Sequence, residues 1–235
     1  MAETIHSGNV PLPGGVTSVF IQLQASGASG HEGNGFLAGA GGGGGAFASG
    51  VLPVTALTFS FVYGDGPDNN SNQEDGSTAQ ITLGAGTVLA DGGHANVFPS
   101  IIGGQGGQAS SSIGDFKVSG LDGGNGLFVP SPPQPGFVSG GGGNGAPPFG
   151  GAGAPPTTGD GTKGAGPGGG GSGQGSSGAG GVGGGGGGGF VRVWDNTNGT
   201  ADGATNTPPT GGLGIIFEAG SLPATKSRKG AFIIS

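Results

Sequence analysis

Seven consecutive glycines at 183–189 run without a break into FVRVW at 190–194. In that pentapeptide Phe190, Arg192 and Trp194 alternate with Val191 and Val193, the period of a β-strand. A strand needs a partner, so the chain before it must deliver it to a sheet. From residue 140 onward that chain is nearly all Gly, Pro, Ala and Ser. Read as coil, it would be a structureless loop of several tens of residues, and loops beyond about 12–15 residues argue against their own assignment in a compact domain. The glycines therefore have to be architecture.

Three forms of glycine-rich chain compete. A Gly/Ser linker is a random coil. A collagen helix places Gly at every third position, whereas the glycines of 159–189 fall on all three phases. The third form is an extended helix of three residues per turn, packed side by side with others. A lone helix of this kind has no internal hydrogen bonds, but neighbours bond to one another and bare backbones approach closely. No phase is required if every face is bare. Ordering Gly costs about 0.5–1 kcal/mol more than ordering Ala, so 66 glycines set a cost on the order of tens of kcal/mol. Few side chains are there to offset it, so backbone hydrogen bonds and close contact must. A loosely ordered glycine lobe is the alternative.

Composition favours order. Gly and Pro make up about a third of the chain, a level at which disorder is the usual reading. Disordered chains, however, are rich in charge and poor in apolar residues. Here 8% of residues are charged, 31% are hydrophobic and 13 are Phe. Gly and Pro are both poor in helix interiors, which leaves strands. Residues 16–24 (VTSVFIQLQ) put Val19, Ile21 and Leu23 on one face and Phe20, Gln22 and Gln24 on the other. Residues 57–63 (LTFSFVY) alternate Leu57, Phe59, Phe61 and Tyr63 against Thr58, Ser60 and Val62. Further short strands are expected within 79–90, 97–102 and 113–119, and 190–194 should close the sheet begun by 16–24.

The predicted fold class is all-β: a sandwich-like core of short strands, a lobe of packed polyglycine II-type helices at 120–189, and essentially no α-helix. Residues 1–194 form one domain in this reading, and 195–235 a C-terminal extension that is a candidate docking segment. Two apolar bursts, LGIIF at 213–217 and AFII at 231–234, lie in it.

Most chemistry finds no support. The net charge of −7 disfavours nucleic acid, since phosphate binding needs clustered Lys and Arg. The one basic cluster, Lys226, Arg228 and Lys229, is small and suits docking onto an acidic partner subunit. Without Cys there are neither disulfides nor thiolate metal sites. No stretch approaches the roughly 18 apolar residues of a membrane span, and MAETIHSGNV is not a signal peptide. Asp68, Asn70 and Asn72 imitate the start of a calcium loop, but Gln73 stands where Gly is needed and Ala79 where Glu is needed. Lys163 sits between Thr162 and Gly164, outside any phosphate-loop pattern. His6, His31 and His94 have no zinc spacing. His94 is near Asp91, but no nucleophile elbow accompanies them. The expectation is no catalytic residue, no metal, no cofactor and no enzyme.

The order of parts resembles a known family. VTSVFIQLQASG, then GGGGGAFASGVLPV, then LTFSFVYGDG, then a Gly-rich tract closed by GGGGGGGFVRVW is similar to the glycine-rich domains of bacteriophage tail proteins. The likeness covers roughly 16–194. In architecture it is also similar to the tail-fibre adhesins of T-even-type phages, although their N-terminal attachment domain has no counterpart here. The resemblance implies a virion location, other virion subunits as partners in a homo- or hetero-oligomeric assembly, and a bacterial surface receptor met by loops between glycine blocks. The candidate loops are 127–138 and 146–149, with Phe128, Pro130, Pro132, Pro133, Phe137, Pro147, Pro148 and Phe149 as contact residues. Proline pre-stiffens such loops and Phe supplies apolar anchors. The alternative for these Phe residues is local core at the ends of the glycine stack, and for Trp194 core at a strand end. A purely structural virion role, in capsid decoration or tail assembly, is the alternative function.

Overall fold

The computed structural model describes residues 3–33, 37–68, 73–96, 101–129, 136–175, 183–210 and 214–218. Eleven strands follow in order: β1 (Ile5–Pro11), β2 (Ser18–Gln24), β3 (Phe47–Pro53), β4 (Thr58–Gly64), β5 (Ala79–Leu83), β6 (Gly86–Ala90), β7 (Phe116–Val118), β8 (Leu127–Val129), β9 (Gly136–Val138), β10 (Phe190–Asp195) and β11 (Gly214–Glu218). Among the described residues there is no helix. The all-β expectation holds.

Two antiparallel sheets face each other, one ordered β1-β4-β5-β6 and the other β11-β10-β2-β3-β7. The alternation read from the sequence sets the core between them. Val19, Ile21 and Leu23 of β2 and Val191 and Val193 of β10 meet Phe59 and Tyr63 of β4, Ile81 and Leu83 of β5 and Val88 of β6. As expected, β10 pairs with β2, Phe190 opposite Gln24 and Trp194 opposite Phe20.

The other face of β2 is covered as well. Phe20, Gln22 and Gln24 are buried. Gln22 Nε2 donates to Asn206 Oδ1 at 2.6 Å. Gln24 Nε2 donates to the carbonyls of Gly45 and Ala46 at 2.9 and 3.0 Å. The chain after Trp194 thus belongs to the sandwich rather than standing apart from it: 196–207 folds back on the sheet and β11 adds a strand to it. Strand β11 falls on the apolar burst read at 213–217, and its pairing with β10 ties that part of the extension to the sheet. Residues 219–235, with AFII, lie outside the described residues, as do 97–100 of the strand expected at 97–102.

The strands do not end in loops. They run on into glycine segments whose hydrogen bonds keep the same pairing but recur every third residue. Gln24 lies opposite Phe47 in the sheet. Beyond it, Ala25, Ala28 and His31 donate to Ala46, Gly43 and Ala40. The pair β10–β2 continues as Gly27 to Gly187 and Gly30 to Gly184; the pair β3–β7 continues as Gly44 to Leu121 and Gly41 to Gly124. Chain pairing is conserved while the turn per residue changes from a half to a third.

Segment 39–46 is the centre of this lattice and has six neighbours. Gly39, Gly42 and Gly45 donate to Gln174, Gly171 and Gly168; Gly41 and Gly44 to Gly124 and Leu121; Gly43 and Ala46 to His94 and Asp91. Carbonyls 40, 43 and 46 accept from 31, 28 and 25; carbonyls 41 and 44 from 104 and 107; carbonyls 39, 42 and 45 from 140, 143 and 146. Every carbonyl from 39 to 46 is therefore bonded. These bonds recur at every third residue toward each neighbour and satisfy buried backbone where no side chain does. The lattice also reaches beyond 120–189, since 25–31, 39–46, 91–94 and 103–108 take part in it.

The glycines are needed for closeness. A Cβ built on Gly43 would stand 1.9 Å from the carbonyl oxygen of Gln105, and one on Gly41 1.9 Å from that of Gly141. At the rim, phase returns. Segment 25–33 reads ASGASGHEG, with Gly27 and Gly30 turned to the backbone of 168–173 and the two other phases free to carry side chains.

Candidate functional site

The register also fixes which end of the lattice each connection occupies. Segment 39–46 runs toward β3, so residues paired with 45–46 lie at the sandwich and those paired with 39–40 lie far from it. Seven residues at about 3.1 Å each separate the ends by roughly 20 Å. Segment 120–126 runs antiparallel to 39–46, which carries Gly126 to the far end beside Ala38. The β8–β9 hairpin starts there, with Leu127 opposite Val138 and Phe128 opposite Phe137. Segment 140–146 runs parallel to 39–46, so Ala146, bonded to Gly45, is at the sandwich end. The two loops read from sequence as one contact surface are thus at opposite ends of the lattice.

Phe149 accordingly sits on the sandwich. Its ring lies 5.8 Å from that of Phe47 and 5.7 Å from that of Phe190. The Arg192 guanidinium covers Phe190 at 4.1 Å and Phe149 at 4.9 Å. Phe149 remains 36% exposed, and Pro147 and Pro148 beside it are exposed. An aromatic ring held this way on two others is an anchor for the turn. Trp194 lies tilted against Phe20, centroids 5.7 Å apart. Pro130, Pro132, Pro133, Lys226, Arg228 and Lys229 lie outside the described residues.

The far end gathers what the sequence did not connect. His31 and Gly39, Gly103, Gly126 and Ser139, and Gly175 and Gly183 lie at or near that end, while His94, bonded to Gly43, lies midway along the lattice. Leu37, Ile101, Ile102 and Leu127 are exposed at this end. Gly126 N–H donates to the Ile101 carbonyl at 2.8 Å, which ties two of these connections together. Only the register reveals this grouping, because its members are spread over a hundred residues.

Polar side chains at the rim stand in for missing lattice neighbours. Asp122 and Asn125, three apart, accept from the N–H groups of Gly106 and Gly103 at 2.8 Å each. Asn144 does the same for Gly153 at 2.8 Å. Ser26 and Ser29 accept from Ser77 and Glu74 at 2.7 and 2.8 Å.

Two of the three histidines, His6 and His94, face carboxylates. His94 Nε2 faces Asp91 Oδ2 at 3.3 Å and its Nδ1 faces Asp75 Oδ2 at 3.5 Å, which leaves neither ring nitrogen aimed at a hydroxyl. His6 Nε2 pairs with Asp65 Oδ1 at 2.8 Å and stacks on Tyr63. Burial, and secondarily the Asp65 carboxylate, hold the Tyr63 phenol above its usual range. Among the described residues no group of three His, Asp or Glu converges as metal ligands, and no helix is long and apolar enough to cross a membrane.

Fold and surface together define a β-sandwich continued by a hydrogen-bonded glycine lattice, several of whose described segments end on the side away from the sandwich. No family model matches the chain, and no curated protein matches it.

Proposed function

We propose that this protein is a phage virion component, a tail-fibre or tail-tip adhesin that meets the host surface through connections carried on a polyglycine scaffold. The observation that carries this reading is that several described segments end together on the far side of a lattice in which every carbonyl of the central segment 39–46 is bonded. A rigid scaffold that varies only in its end loops is how binding surfaces are commonly built. The order of strands and glycine blocks, similar to phage tail proteins, supports the same class. The contact surface in this reading is the far end, with the β8–β9 hairpin and its Phe128 and Phe137. Pro147, Pro148 and Phe149 serve instead to anchor the lattice on the sandwich. Other virion subunits are its partners, a bacterial surface receptor its target, and the chemistry is binding without a cofactor. Lys226, Arg228 and Lys229 are proposed to dock onto an acidic subunit.

One observation favours the purely structural role. Exposed Leu37, Ile101, Ile102 and Leu127 at the far end suit a contact between subunits as well as a receptor. Adsorption of the purified protein to candidate host cells separates the two, with a variant in which 127–138 is replaced by Gly-Gly. Saturable binding lost in the variant supports the adhesin. Absence of binding by folded protein assigns the surface to virion assembly.

A further inference from the structure

A half-open cleft of about 450 Å³ lies at the seam where the end of β4 meets segments 163–167 and 187–189. That volume is within the range of small-molecule sites, about 300–1,000 Å³. Its charged and hydroxyl lining comprises Asp65, Asp68, Lys163 and Thr4; the rest is glycine backbone and the ring of Pro167. The walls are fixed in advance. Asp65 N–H donates to the Thr4 carbonyl at 3.0 Å, and its side chain is held by His6 at 2.8 Å. Gly66 N–H donates to Glu3 Oε1 at 2.8 Å. Gly164, Gly187 and Gly189 donate to Gly185, Gly169 and Gly64 at 3.0, 2.6 and 2.9 Å. Pre-ordered walls lower the ordering cost of binding.

The chemistry of the lining narrows the ligand. Two carboxylates against one ammonium repel anions. The ammonium in the same cleft disfavours a simple cation. Among the described residues Pro167 is the only apolar side chain in the lining, too little to hold an apolar ligand. A neutral molecule with several hydroxyls fits this lining: carboxylates accept from them, Lys163 donates to them, and bare backbone lets a ring approach closely. We propose that this cleft binds a saccharide unit through Asp65, Asp68 and Lys163. The site is separate from the far-end surface and stands whether or not that surface is an adhesin.

The test is a titration of isotope-labelled full-length protein with glucose, galactose, mannose and N-acetylglucosamine, followed by amide chemical shifts. D68N and K163A are the variants, and the free amino acid alanine is a zwitterionic control. The expected result is a saturable shift at Lys163, Gly164, Gly187 and Gly189 with at least one sugar. Each variant should weaken it roughly tenfold, as loss of a charged hydrogen bond does, while keeping a folded spectrum. Shifts with alanine alone, no shift with any sugar, or sugar shifts unchanged in both variants would overturn the proposal.

Discussion

Replacing Gly43 by Ala adds a single methyl group at the centre of the lattice, and its cost follows from the geometry. The new Cβ would stand 1.9 Å from the Gln105 carbonyl oxygen, 2.4 Å from its carbon and 2.8 Å from Gly106 N. All three are backbone, so no flexible side chain can swing aside. To reach ordinary contact near 3.4 Å, segment 103–108 would have to move by more than 1 Å. That segment is tied to 39–46 by Gly104 to Gly41 and Gly107 to Gly44, both 2.8 Å. Overpacking of this kind costs about 1–3 kcal/mol, and two weakened hydrogen bonds add about 0.5–1.5 kcal/mol each. The lower chain entropy of Ala in the unfolded state returns about 0.4–1 kcal/mol. The net expectation is a loss of about 1–6 kcal/mol. Gly14 is the control, since a Cβ there meets nothing within 4 Å. Urea unfolding of G43A and G14A, read against the parent, is the assay. A midpoint for G43A equal to that of G14A would refute close packing at the lattice centre.

Further outcomes follow from other parts of the molecule. D122A and N125A each remove the acceptor for one rim N–H group, so each should cost about 0.5–1.5 kcal/mol, with faster amide exchange at Gly106 and Gly103 respectively. F149A should destabilise by about 1–2 kcal/mol through lost contact with Phe47 and Phe190 and leave cell adsorption unchanged; loss of adsorption at parental stability would return Phe149 to the contact surface. The raised Tyr63 pKa means the folded state holds the phenolic proton more tightly than the unfolded state. Its contribution is whole below pH 10, the unfolded value, and is lost as pH rises through the folded one. Thermal unfolding measured from pH 8 to 11 should show this alkaline loss, and it should be smaller in Y63F.

Much of the sandwich was legible because apolar alternation survives in β2, β4, β5, β6 and β10. Strands carrying Gly or Pro were not. In β3 Gly50 interrupts FASGVLP, and in β1 Gly8 sits where any side chain would press on the Phe61 ring at 3.1 Å. The run GAGGGGG at 39–45 carries glycine in every phase, and backbone stands against it on several sides. The three-residue phase of ASGASGHEG, and the polar residues three apart at Asp122 and Asn125, are rim signals equally present in the sequence. A search at the periods of helix and strand passes over them. Which connections share the far end was not legible at all, because that depends on whether each segment runs with or against 39–46.

The lattice itself is tested most directly by amide hydrogen exchange in the glycine segments at native conditions. The hydrogen bonds predict that Gly41 through Gly45 and Gly168, Gly170, Gly171 and Gly173 exchange as slowly as Ile21 and Val191 of the sandwich, through global unfolding alone. Exchange of those glycines at the rate of an unstructured peptide, with the strands still protected, would contradict it.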